Sequence, residues 1–119
     1  MPASLAFYRA LGLEIPPEMD TEGHVEITLA SGLRLAWDTH EIIRSFDSKW
    51  QPPAGSHRIA IAFLCDTPAD VDATFHKLTA LGHPAHKAPF DAFWGQRYAQ
   101  IADPDGNVID LFAPLPAQS

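Results

Sequence analysis

Cysteine is almost absent. Cys65 alone excludes an internal disulfide, and no CxxC or Cys/His spacing surrounds it to suggest zinc or redox chemistry. Its place after the apolar run 59–64 predicts a buried structural thiol. Positive charge is also scarce: 8 Lys and Arg stand against 15 Asp and Glu, for a net charge of −7. Nucleic-acid affinity rests on clustered cations, so DNA and RNA are excluded as partners. No apolar run approaches the roughly 20 residues that cross a bilayer, which predicts no membrane association. Residues 1–5 lack the basic and apolar regions of a secretory leader, so the expected location is cytoplasmic. What is present, 119 residues of which 46% are hydrophobic and 19% charged, suits one globular domain around one core.

Periodicity then organises the chain. Residues 3–11 predict a short helix with Leu5, Tyr8 and Leu11 on one face and Gly12 just past its end. Residues 24–29 alternate, with Val25, Ile27 and Leu29 opposite His24, Glu26 and Thr28; Ser31 and Gly32 turn the chain, and 33–37 alternate again, which predicts a hairpin. Residues 39–56 lose periodicity and read as a connector. A strand is expected over 58–64. Thr67, Pro68 and Asp70 then supply an N-cap, a first-turn proline and a first-turn carboxylate for a helix carrying Val71, Thr74, Phe75, Leu78 and Leu81, closed by Gly82. Strands are predicted at 86–90, 96–102 and 107–112, the last two joined by Asp103-Pro104-Asp105-Gly106.

The pattern repeats. Gly12 and Gly82, just past the helices, are 70 residues apart, while the turn glycines Gly32 and Gly106 are 74 apart. Four extra loop residues reconcile the two offsets. The modules span about 1–38 and 57–114. By the same spacing, the counterpart of the strand that begins at Arg58 would precede Met1. The first module is therefore expected to lack its opening strand, restored either by sequence upstream or by a partner chain.

The segments SLAFYRALGL (4–13), ADVDATFHKLTALG (69–82) and FWGQRYAQIADPDGNVIDLF (93–112) resemble the vicinal oxygen chelate superfamily, which contains glyoxalases, bleomycin-resistance proteins and extradiol dioxygenases. The resemblance implies an α+β fold in which two βαβββ modules form a cup-shaped mixed sheet. It also implies a divalent metal held by His, Gln or Glu from the opening and closing strands of both modules. The family carboxylate, four residues after each turn glycine, corresponds to Ala36 and Asp110; Ala36 cannot ligate.

Register decides the remaining position, because a shift of one residue sends a side chain to the other face of a sheet. If His57 faced the cup, Ile59, Ile61 and Phe63 would face it too. The reverse register places Arg58, Ala60 and Ala62 in the cup and Ile59, Ile61 and Phe63 under the helix, and is preferred here. Arginine carries a permanent charge and no lone pair, so it repels a metal. The expectation is an Arg58–Asp110 ion pair in the metal's place and a ligand site lined by Arg58, Asp110, Trp94, Tyr98, Gln100, Arg34, Glu26 and His24. No cofactor is expected. The corresponding function is a metal-free small-molecule binder of the bleomycin-resistance type, acting as a homodimer. The alternatives are a divalent-metal lyase or dioxygenase in which Asp110 and His57 hold the ion, and a non-catalytic interaction module.

Overall fold

The computed structural model describes residues 1–57 and 59–116, so Arg58 lies outside the described residues. The described chain is α+β, with three α-helices, one short 3-10 helix and six strands. It divides into two compact units, Met1–Gly55 and Ser56–Ser119. No helix among the described residues is long and apolar enough to cross a membrane.

In the first unit, helix α1 (Pro2–Ala10) opens on a proline, which is pre-set for a first helical turn, and buries Ser4, Leu5, Phe7 and Tyr8. Arg9 ties it to the segment that follows: its guanidinium donates to the carbonyl oxygens of Ile15 (2.7 Å) and Pro16 (2.8 Å) and pairs with Asp20 at 2.8 Å. Where the repeat calls for a strand, this segment holds the 3-10 helix Pro17–Thr21, because Pro16 and Pro17 lack the N–H a ladder needs. Strands β1 (His24–Thr28) and β2 (Arg34–Asp38) form the hairpin as an antiparallel ribbon. Val25 is buried on one face, where the half-buried Trp37 meets the Tyr8 ring at 5.2 Å.

Residues 39–56 are not only a connector. Helix α2 (His40–Phe46) starts where the Thr39 hydroxyl accepts the Ile42 N–H at 3.2 Å. Seven residues make too few turns for hydrophobic periodicity to register, so the cap was its one sequence signal. A Cβ on Gly23 would lie 2.7 Å from Ile42 Cγ1, so the absence of a side chain at 23 permits α2 to approach β1.

In the second unit, β3 (Ile61–Leu64), α3 (Pro68–Ala80), β4 (Ala85–Ala92), β5 (Gln96–Ala102) and β6 (Val108–Pro114) build a four-stranded sheet in the order β3-β6-β5-β4. β3 runs parallel to β6; the other pairs are antiparallel. Helix α3, capped by Thr67, buries Val71, Phe75 and Leu78 and packs on the face carrying Ala99, Ile101, Ile109, Leu111 and Ala113. Burial on this scale dominates the stability of such a unit. Arg97 clamps the same face to α3 through two 2.8 Å bonds to the Asp72 carboxylate, which holds Asp72 below the usual carboxylate range.

Of the strand predicted over 58–64, the described residues form strand only from Ile61, and Ile59 is 84% exposed rather than under the helix. The ladder pairs Ile61 with Ile109, so Ile59 would need Asn107. That residue is already committed to the turn, where its backbone and side-chain nitrogens both donate to Asp103 at 2.8 Å. Within β3 the register still places Ile61 and Phe63 beside Ile109 and Leu111, and Ala62 beside Asp110.

The repeat extends to individual hydrogen bonds. Each of α1 and α3 ends in a Schellman motif: Leu13 N–H donates to Tyr8 and Gly12 to Arg9, as His83 does to Leu78 and Gly82 to Thr79. Gly12 and Gly82 have φ of 105° and 98°, a region side chains disfavour. The hairpin turns match likewise: Gly32 to Leu29 and Leu29 to Leu33, against Gly106 to Asp103 and Asp103 to Asn107.

Candidate functional site

Alternation along β5 and β6 sends Ala99, Ile101, Ile109 and Leu111 to α3 and leaves Tyr98, Gln100, Asp110 and Phe112 on the opposite face. Gln100 and Asp110 are cross-strand partners, as are Tyr98 and Phe112. The Gln100 amide nitrogen donates to Asp110 Oδ1 at 2.9 Å and to the Tyr98 hydroxyl oxygen at 3.1 Å. Burial and then a hydrogen bond to Asp110 push the Tyr98 phenol up to about 12, so it stays protonated at neutral pH. All three side chains are half-buried.

Aromatic rings border this triad. Trp94 lies 5.3 Å from the Tyr98 ring, Phe90 lies 5.9 Å from Tyr98 and 6.1 Å from Trp94, and the interplanar angles are 78°, 88° and 89°. The Trp94 indole N–H donates to Gln96 Oε1 at 2.9 Å, which fixes the ring. Lys87 Nζ sits 5.1 Å over the Phe90 ring. Phe90, Gln96 and Lys87 were not among the expected site residues. β4 carries Pro89 and two register irregularities, between Ala85 and Lys87 and between Lys87 and Phe90, so no period-two reading of the sequence could assign its faces.

The other expected residues lie in the first unit. His24 Nδ1 hydrogen-bonds the Asp38 carboxylate directly across the ribbon, Glu26 is 3.7 Å from His24 Nε2, and Arg34 is 3.4 Å from Glu26. The Asp38 bond raises the His24 pKa above its ordinary value. The His24, Glu26 and Arg34 side chains are 50%, 41% and 65% exposed, so this is a solvated network. Asp38 bonds His24, and the His40 ring lies 4.8 Å from Trp50. His57 in the second unit meets His86 edge to face at 5.8 Å.

The family's metal can be tested against these groups. In the first ladder Ala36 faces Glu26, and in the second Asp110 faces Gln100, so at the family's carboxylate position only the second closing strand carries a ligating side chain. Among the described residues no three His, Cys, Asp or Glu side chains group to hold an ion. These residues do not fit a divalent metal.

No curated protein matches the chain. Solved structures do. A glyoxalase/bleomycin resistance protein/dioxygenase family enzyme from Burkholderia phytofirmans matches with a TM-score of 0.79 at 20% identity, over 95% of this chain and 89% of its own. A glyoxalase/bleomycin resistance protein/dioxygenase from Nocardioides matches at 0.69 and 26%, over 98% and 80%. A lactoylglutathione lyase from Agrobacterium tumefaciens matches at 0.64 and 24%, over 93% and 83%. The family model described as glyoxalase/bleomycin resistance protein/dioxygenase superfamily matches residues 1–111. With the duplicated helix ends and turns, that match makes the chain a member of the glyoxalase/bleomycin resistance protein/dioxygenase superfamily.

Proposed function

We propose that this protein binds a small molecule, without a metal ion, on the sheet face that carries Tyr98, Gln100 and Asp110, and that it does so as a cytoplasmic homodimer of the bleomycin-resistance type. One observation carries the reading: a single amide, that of Gln100, donates to both Asp110 and Tyr98 beside the Phe90 and Trp94 rings. Held polar atoms next to flat apolar walls are what orient and bury a small ligand. The triad has no task in the core, since α3 packs on the other face. Trp94 is 49% exposed, which leaves ring area for a bound molecule.

The test is thermal stabilisation of the untagged protein across aromatic antibiotics and glutathione conjugates, combined with metal analysis. At least one class should raise the melting temperature, and Asp110→Ala should abolish the shift. A protein that responds to none acts as an interaction module instead. A stoichiometric divalent ion that is lost on Asp110→Ala would replace this reading with a metal-dependent lyase or dioxygenase.

A further inference from the structure

We infer that the ligand of this face carries an alkylammonium group, seated on the Phe90, Trp94 and Tyr98 rings beside the Asp110 carboxylate. The inference rests on the binding reading above and names the class of ligand.

Three observations carry it. First, the three rings stand nearly perpendicular to one another, at 78°, 88° and 89°. An aromatic face is the negative end of the ring quadrupole and attracts a cation held within about 6 Å of the centroid. Second, the chain already places a cation there: Lys87 Nζ lies 5.1 Å over Phe90. Lys87 is exposed, on the outermost strand β4 and paired with Gln100. Its flexible stem can leave the ring when a ligand arrives, so it is a tethered stand-in for the ligand's own cation. Third, the polar group next to the rings is a carboxylate held in place by Gln100 (2.9 Å), and the neighbouring Tyr98 phenol keeps its proton. An aromatic corner with one anion beside it and a neutral hydroxyl suits a compact, weakly hydrated ammonium better than an anion or a neutral ring.

Choline and 3,3-dimethylbutan-1-ol separate charge from shape, since they have nearly the same form and differ in the central charge. Ligand-observed NMR on the intact chain gives both dissociation constants. Choline should bind about two- to fivefold more tightly than the alcohol, the ratio expected of an exposed cation–π contact. Trp94→Leu, at an exposed position that does not threaten folding, should erase that preference. Lys87→Met should tighten choline binding by removing the tethered competitor, whereas Lys77→Met, on α3, should leave it unchanged. Equal affinity for choline and the alcohol would overturn the inference, as would no choline binding at about 10 mM or equal tightening by the two lysine substitutions. If choline fails while an antibiotic or conjugate still stabilises the protein in an Asp110-dependent way, the binding reading stands and only the ammonium assignment falls. If no compound of either set binds, both fall.

Discussion

The β1–β2 hairpin of the first unit and the β5–β6 hairpin of the second share a backbone but not an environment. Their turns make the same hydrogen bonds at equivalent residues, and Glu26–Ala36 occupies the ladder position of Gln100–Asp110. Yet β5 and β6 are the central strands of a four-stranded sheet, while β1 and β2 are a ribbon of two. The cross-strand contact that orients Asp110 has no counterpart at Ala36. In its place the first ribbon carries the His24–Asp38 pair, two residues before Glu26 on β1 and two after Ala36 on β2. Duplication has preserved the turns and helix ends that define the module, and chemistry has diverged at side chains that the backbone does not constrain.

Core truncation at equivalent positions gives the largest contrast. Ile109 is fully buried and its counterpart Leu35 half-buried. Ile109→Ala should cost about 3 kcal/mol in urea unfolding and Leu35→Ala about 1 kcal/mol, because cavity cost follows burial. Equal losses would mean that the ribbon is packed as tightly as the sheet. The helix ends should behave alike instead. Gly12→Ala and Gly82→Ala each meet open space but a positive φ, so each should lower stability by about 1 kcal/mol. A loss at only one of them would show that the shared Schellman motifs are not equivalent in energy.

The smallest effect belongs to the first ribbon alone. The folded pKa of His24 lies above 6.5, raised chiefly by Asp38. The protonated pair therefore stabilises the fold fully below pH 6.5, and that contribution fades as pH rises through the folded value. NMR titration of the His24 ring should give a midpoint above 6.5 that Asp38→Asn returns toward it. A midpoint unchanged by the substitution would show that Asp38 does not hold the His24 proton.

Much of this was legible in the residues. Thr67, Pro68 and Asp70 mark the start of α3 through local chemistry, and the alternation over 96–102 matches the observed limits of β5. That same alternation put Tyr98 and Gln100 on one face, while Asp110 was placed by the family resemblance, which sets a carboxylate four residues after the turn glycine Gly106. β4 was expected at 86–90, within its observed limits Ala85–Ala92, but its faces could not be read, since its bulges break the period that assigns them, and with them were lost Lys87 and Phe90. Helix α2 was too short to show a period. The Asp38–His24 pair spans 14 residues, and no local pattern points from one to the other.

Sequence by itself determined the module: where helices end, where hairpins turn and which residues alternate, because each depends on backbone conformation and neighbours a few positions away. Tertiary structure alone decided the site. Which amide reaches which carboxylate, which rings meet edge to face and which cation rests on them depend on strands brought together across the sheet. Those distances are set by ladder register and packing, not by spacing along the chain.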